Sequence, residues 1–140
     1  MSVFTPQEIE YLHSQRLGRL ATVDPDGQPQ NAPVGFCYNP KTDTLDIGGR
    51  SMSASKKFRN VQSHPQVAFV VDDVLPPRHV RGVEIRGTAA ALPSGARAIF
   101  GERFPDDALI RITPERIIVW GLEGSPYDQH SRRVDRKEAN

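Results

Sequence analysis

Residues 18–27, GRLATVDPDG, contain the signal that decides the fold of this chain. Residues 18–23 have the composition of a β-strand, and Asp24-Pro25-Asp26-Gly27 combines a proline with an Asp-Gly pair, which is typical of tight turns. Residues 30–38 follow at once and can return as the antiparallel partner. The stretch therefore predicts a β-hairpin.

Four further strands are predicted after this hairpin, over residues 44–48, 66–72, 81–92 and 110–120. In the first of them, Leu45 and Ile47 alternate with polar neighbours, which is typical of a strand with one buried face. Residues 66–72 are almost continuously apolar, which favours a fully buried strand. Six strands with frequent turn residues favour a barrel over a sheet of βαβ units.

Short helices are predicted to flank the strands. Thr5-Pro6-Gln7-Glu8 has the pattern of a capping box with proline at the first helical position. Residues 53–61 predict a second helix with serine caps, which ends before His64-Pro65, and residues 93–104 predict a third. The side chains expected to face inward are Ile9, Leu12 and Leu17 in the first helix and Ala98, Ile99 and Phe104 in the third.

The composition argues against several kinds of partner. Lys and Arg number 18 and Asp and Glu 17, so the net charge of +1 gives no overall field to attract nucleic acid or an anionic membrane. Cys37 is the single cysteine, residues 1–10 lack the apolar run of a signal peptide, and no stretch reaches the ~20 apolar residues of a spanning helix. We expect one cytoplasmic domain over residues 1–140, with a polar tail from Glu123 that is surface-bound or partly ordered.

Three pieces of the sequence resemble, in order and spacing, the split-barrel family of pyridoxamine 5'-phosphate oxidase. They are the hairpin from Leu20 through Gly27 to Val34, then Ser55-Lys56-Lys57 with Asn60 and His64-Pro65, and finally Pro114-Glu115-Arg116-Ile117 leading to Trp120. The resemblance implies a mainly β, six-stranded FMN-binding split barrel. It also implies a homodimer with two cofactor sites in the clefts between subunits. Residues 81–87, RGVEIRG, are most similar to the branch of the family that uses the deazaflavin coenzyme F420.

Departures from the parent enzyme bear on the cofactor and the reaction. Ala32 stands where the parent has an arginine for the flavin phosphate, and Gly82 aligns with a glutamine, so FMN binding in the usual pose is weakened. After Trp120, this sequence has Pro126 and Asp128 in the region where the parent places Arg and His for the substrate phosphate. Oxidation of pyridoxamine phosphate is therefore not expected.

A flavin or deazaflavin presents a phosphate and an apolar ring, so its site needs cations and N–H donors at one end and a packed wall at the other. Ser55, Lys56 and Lys57 are the candidate phosphate ligands, joined by Arg50 and Ser51 from the preceding loop. The other candidates are Asn31, Ala32, Pro33 and Val34 along the ring, Gly48 and Gly49 for close backbone approach, Arg81 as a further cation, and Trp120 from the partner subunit.

Each candidate also has a purely structural interpretation. The lysines can be ordinary solvated charges, and Pro33 can mark a simple edge irregularity of a barrel, because proline cannot donate to a central ladder. Trp120 can belong to the core, and Arg78, His79 and Arg81 can form a solvated loop.

No catalytic residue is assigned, because in such enzymes the cofactor carries the hydride and the protein orients it. Cys37 has no nearby histidine, and the four histidines lack ligand spacing, so no metal site is expected. The leading hypothesis is an oxidoreductase that uses F420 on a small organic substrate. The alternatives are an FMN-dependent oxidoreductase, a non-catalytic flavin or deazaflavin carrier, and a dimer that has lost its site.

Overall fold

The computed structural model describes residues 1–125 and 127–135. Within this part of the chain, the helices are α1 (Pro6–Ser14), α2 (Lys56–Ser63) and α3 (Ala96–Phe100), with single 3-10 turns at Met52–Ala54 and Gly101–Arg103. The strands are β1 (Leu17–Val23), β2 (Pro29–Asn39), β3 (Thr44–Gly48), β4 (Gln66–Leu75), β5 (His79–Leu92), β6 (Leu109–Trp120) and β7 (Gln129–Arg133).

The first six strands form a closed antiparallel barrel in the order β3-β2-β1-β4-β5-β6, which β3 closes by pairing with β6. β7 adds to the outside edge of β6. The mainly β split barrel with short flanking helices is therefore confirmed, with one strand more than predicted.

The predicted hairpin is fixed by its turn. The Asp24 carboxylate accepts hydrogen bonds from the backbone N–H groups of Asp26 and Gln28, both at 2.9 Å. Gly27 has a φ of 87°, a backbone conformation that residues with a side chain rarely adopt. β1 and β2 then pair along the whole length of β1.

The shortness of β3 opens the barrel wall. β3 pairs with β2 only from Gly35 onward and with β6 only at residues 110–112, so residues 29–34 of β2 pair with β1 alone. On the other side of the opening, residues 116–120 of β6 extend past β3 and pair instead with β7. The barrel thus has an uncovered β2 edge on one side of β3 and a covered β6 edge on the other.

The core fills the barrel interior. Leu20, Ile47, Phe69, Ile85 and Ile117 are at most 1% exposed, and each comes from a different strand. The helices α1 and α2 add buried side chains to the same cluster, namely Tyr11, Leu12, Phe58 and Val61.

The polar residues of β3 are buried as well, so the prediction of one exposed face was wrong for this strand. Asp46 accepts two hydrogen bonds from the Arg111 guanidinium, at 3.0 and 3.1 Å, and further ones from Thr44 and Asn39, both at 2.9 Å. A carboxylate can be buried here because its oxygens are fully paired. This ion pair joins β3 to β6 where the barrel closes.

Two predictions about side-chain burial were wrong. In β4, Val67, Phe69 and Val71 are buried but Ala68 and Val70 are only half-buried, because a barrel strand has one face inward and one outward. Leu17 does not join the buried side of α1. It begins β1 and is 57% exposed.

The C-terminal third also differs from expectation. α3 covers five residues, Ala96 is its buried residue and Ala98 is exposed, because the polypeptide leaves the helix at Gly101 before a second turn forms. Ile99 and Phe104 are half-buried. Within the tail, residues 129–133 form β7 and pair with β6. None of the described helices is both long and apolar enough to span a bilayer.

Candidate functional site

The start of α2 presents two lysines. The Ser55 hydroxyl caps the helix by accepting from the Phe58 N–H at 3.3 Å, and it donates to the Met52 carbonyl at 2.6 Å. The N–H groups of Lys56 and Lys57, at the first two helical positions, have no acceptor within the helix. Neither lysine side chain makes an ion pair with any described residue. The helix start therefore offers two ammonium groups and two backbone donors, whereas the Ser55 hydroxyl already serves the cap.

A buried asparagine fixes α2 to the first hairpin. Asn60 is 1% exposed, and its Nδ2 donates to Thr22 Oγ1 at 3.0 Å and to Gln30 Oε1 at 2.9 Å. Thr22 belongs to β1 and Gln30 to β2, so one side chain connects the helix to both strands. This contact places the lysines beside the uncovered edge of β2.

The lysines and the β2 edge line one cleft, with a volume of about 160 Å³. Its lining residues are Leu20, Thr22, Gln30, Asn31, Ala32, Lys56 and Lys57. Four predicted site residues therefore come together: Asn31, Ala32, Lys56 and Lys57. Three residues at this site were not predicted from the sequence, namely Thr22, Gln30 and Asn60. Asn60 could have been found, because a polar side chain on the buried side of a short helix indicates a buried hydrogen-bond partner.

Pro33 lies in the part of β2 that pairs on one side only, as expected for a proline in a sheet. Its side chain is exposed. Val34 follows within the hydrophobic core at 5% exposure, so its side chain packs inside the barrel and does not line the cleft.

The loop after β3 is held by aromatic packing. A Cβ atom at Gly48 would lie 2.8 Å from the Phe104 ring and 2.9 Å from the Phe100 ring, so these two rings require glycine at this position. Gly49 has room for a Cβ, 3.7 Å from the Met52 side chain. Arg50 and Ser51 are exposed beyond it. These four candidates are not among the residues that line the cleft.

Trp120 lies elsewhere on the same chain. It is opposite Gly82 in the pairing of β5 with β6 and lines a separate groove with Val80, Glu84, Ile118, Tyr127 and Gln129. It is not among the residues that line the cleft with Lys56 and Lys57. Pro126 lies outside the described residues.

Arg81 is engaged within the protein. Its guanidinium donates to both Asp73 oxygens, at 2.7 and 3.1 Å, and lies 4.9 Å from the centre of the Tyr11 ring. The hydrogen bonds from Arg81 lower the pKa of Asp73, and those to Asp73 raise the pKa of Arg81. Burial, followed by the hydrogen bond to Asp73, raises the pKa of Tyr11.

Two residues near Arg81 are also placed by the fold. His79 Nε2 is 2.7 Å from the Gly121 carbonyl oxygen, and Arg78 is exposed. The structure thus separates the predicted cation Arg81 from the basic cleft.

Other reactive groups do not gather into a site within residues 1–125 and 127–135. No three of the described His, Cys, Asp or Glu side chains are grouped so that they could hold a metal ion. Burial raises the pKa of the Cys37 thiol, with a smaller contribution from Asp46. A thiol with a raised pKa is a poor nucleophile.

Comparisons with known proteins show which family this chain belongs to. The family described as pyridoxamine 5'-phosphate oxidase matches residues 4–121. A Streptomyces rimosus protein named 5a,11a-dehydrotetracycline/5a,11a-dehydrooxytetracycline reductase is 52% identical over 125 residues, which is 86% of this chain and 85% of the relative.

Two solved structures have the same fold. General Stress Protein 26 of Bacillus anthracis superposes with a TM-score of 0.70 at 20% identity, over 91% of this chain and 96% of that one. A conserved hypothetical protein of Mycobacterium tuberculosis superposes with a TM-score of 0.69 at 21% identity, over 86% of each chain. The family match and the relative at 52% identity together establish that this chain belongs to the pyridoxamine 5'-phosphate oxidase family of oxidoreductases.

Proposed function

We propose that this chain is a reductase that takes its hydride from F420 and saturates a carbon–carbon double bond of a small organic substrate. The observation that supports this best is the cleft in which Lys56 and Lys57 face the β2 edge beside Ala32. Two ammonium groups without an ion-pair partner among residues 1–125 and 127–135, together with the N–H groups of a helix start, suit a cofactor phosphate. The parent family's phosphate arginine is absent at Ala32, which disfavours FMN in its usual pose.

The name of the relative supports the choice of substrate class. The name of the S. rimosus protein describes a reductase of a dehydro compound, in which a hydride and a proton together saturate one double bond. Reduced F420 supplies the hydride when it is bound. This chain's own residues hold the phosphate end, and the Leu20 and Ala32 side chains provide apolar surface in the same cleft. We take a polycyclic, conjugated ketone as the substrate class.

A second copy of the chain would complete the site. The cleft measures about 160 Å³, whereas small-molecule and cofactor sites usually enclose ~300–1,000 Å³, so one chain covers only part of a cofactor. Trp120 is half-buried and lies away from this cleft, next to the exposed Val80 and Tyr127. We therefore propose a homodimer in which Trp120 of one subunit covers the cleft of the other.

The test is a side-by-side titration with F420 and FMN, followed by a hydride-transfer assay. Fluorescence quenching reports binding, and light scattering reports the mass of the assembly at the same salt concentration. We expect micromolar binding of F420, a dimer mass, and oxidation of reduced F420 by the relative's dehydrotetracycline substrate. Preference for FMN would replace the cofactor in the proposal. Tight binding with no hydride transfer to this or related polycyclic ketones would support a carrier instead.

A further inference from the structure

The Asn60 side chain controls which end of the Gln30 amide is free. Asn60 Nδ2 donates to Gln30 Oε1 at 2.9 Å, and Asn60 is buried on α2. A glutamine amide has one acceptor branch and one branch with two N–H donors. Because Asn60 occupies the acceptor branch, the donor branch of Gln30 is left for another partner.

Gln30 also lines the cleft next to the two lysines. Three side chains that line this cleft then present donors to a ligand: the ammonium groups of Lys56 and Lys57 and the Gln30 N–H groups. A phosphodiester offers only acceptor oxygens and inorganic phosphate offers mostly acceptors, so a set of donors matches both. Each hydrogen bond to a charged group is also stronger than one between neutral groups.

We propose that Gln30 is a further anion ligand of the cleft and that Asn60 is the positioning residue that turns its N–H groups toward the anion. This inference rests on the proposed function insofar as the anion is the cofactor phosphate. Inorganic phosphate tests it independently, because the same donors would bind the free anion. Asn60 acts through Gln30 and does not touch the ligand.

Two substitutions separate the roles. Gln30→Met keeps the length of the side chain and removes its donors. Asn60→Asp keeps the size but offers only acceptors, so Gln30 must turn its N–H groups toward position 60 and present its carbonyl to the cleft. Gln62→Glu, at an exposed position of the same helix, is the matched control for an added negative charge.

The measurements are fluorescence titration with F420 and an NMR titration of the side-chain amide signals with inorganic phosphate. We expect the Gln30 amide signals, identified by their loss in Gln30→Met, to shift when phosphate is added to the unmodified protein. Gln30→Met should weaken F420 binding roughly tenfold, as for one lost hydrogen bond to a charged group. Asn60→Asp should weaken it at least as much, and more than Gln62→Glu.

The double variant decides whether Asn60 acts through Gln30. If it does, the double variant Gln30→Met/Asn60→Asp binds F420 no more weakly than the control double variant Gln30→Met/Gln62→Glu. Three outcomes would each overturn the inference. They are fully additive losses of F420 affinity in the double variant, an F420 affinity that Gln30→Met leaves unchanged, and Gln30 amide signals that do not shift with phosphate. Circular dichroism checks that Asn60→Asp folds. If this variant does not fold, the Gln30→Met affinity and the NMR titration still decide whether Gln30 binds the anion. A shift of the Gln30 amide signals with phosphate, in a protein that does not bind F420, would support this inference and contradict the proposed function.

Discussion

The indole ring of Trp120 lies across Gly82, its partner residue on the neighbouring strand β5. A Cβ atom at Gly82 would lie 2.7 Å from Trp120 Cε2 and 2.9 Å from the Val71 carbonyl oxygen. These distances are shorter than the contacts that real Cβ atoms make. The space for a side chain at position 82 is therefore filled by Trp120 and by the backbone of β4, so the glutamine of the parent enzyme cannot be accommodated together with this tryptophan placement.

Gly82→Ala should destabilise the protein. The added methyl group must displace either the Trp120 ring or the backbone of β4, and such overpacking costs about 1–3 kcal/mol. Equilibrium urea denaturation measures the change in the free energy of unfolding. Gly35→Ala is the matched control, because a Cβ there lies at an ordinary distance of 4.0 Å from Phe104. Equal stability of the two variants would show that the ring can move aside freely.

Lys57→Ala should weaken cofactor binding by about 1–3 kcal/mol if its ammonium group contacts the phosphate. The lysine has no ion-pair partner among residues 1–125 and 127–135, so its removal leaves no internal charge uncompensated. Fluorescence titration with F420 at fixed salt gives the affinity. Lys41→Ala, in the exposed turn between β2 and β3, removes the same charge at a residue that does not line the cleft. An identical affinity for both variants would remove Lys57 from the site.

The loss of stability at acid pH, measured as the free energy of unfolding, should depend on Asp73. Hydrogen bonds from Arg81 hold its pKa below the ordinary value of about 3.9 in the folded protein. A carboxyl group whose pKa is lowered by folding stabilises the protein above its unfolded pKa, and this contribution is lost as the pH falls through the folded pKa. Asp73→Asn should therefore be less stable at pH 7, and its stability should decline less steeply below about pH 4.

Urea denaturation at a series of pH values from 7 to 2 measures this difference. Asp26→Asn, in the exposed hairpin turn, provides the control for loss of one carboxylate. Parallel stability curves for Asp73→Asn and the unmodified protein would mean that Asp73 has the same pKa in the folded and unfolded chain.

The strands could be predicted because their signals are local. The Asp24 to Gly27 turn and the apolar residues of the strands are signals that depend on neighbouring residues, and the structure confirms the turn and the six predicted strands. β7 could not be predicted, since its residues are polar and its pairing depends on a β6 edge that the short β3 leaves free. Burial of Asp46 was equally hidden, because its partner Arg111 lies 65 positions away.

The site was predictable in part for the same reason. The lysines, the serine cap and the proline on β2 are local patterns, and the fold brings Lys56 and Lys57 to Asn31 and Ala32. Arg81 was predicted as a cofactor ligand, but the register of β4 and β5 places it directly opposite Asp73. Gln30 and Thr22 were missed because their hydrogen bonds come from Asn60, 30 and 38 positions away.

Arg132 should stabilise the packing of β7 against the N-terminal segment and α1. Its guanidinium donates to both oxygens of Glu8, at 2.6 and 2.7 Å, and to the Val3 carbonyl at 2.9 Å. Glu8 is 4% exposed and also accepts from the Thr5 N–H at 3.0 Å in the capping box of α1. Arg132→Met would leave this buried carboxylate without its cation, so we expect a loss of about 1–3 kcal/mol in the free energy of unfolding.

The Glu8→Gln background tests this explanation. Glutamine can still accept from the Thr5 N–H in a capping box, but it carries no charge that needs compensation. Arg132→Met should therefore cost clearly less in the Glu8→Gln background than in the unmodified protein, and urea denaturation of the four proteins of the cycle measures the difference. The same cost in both backgrounds would mean that Arg132 stabilises β7 through the Val3 carbonyl and its aliphatic stem, with no contribution from its pairing with Glu8.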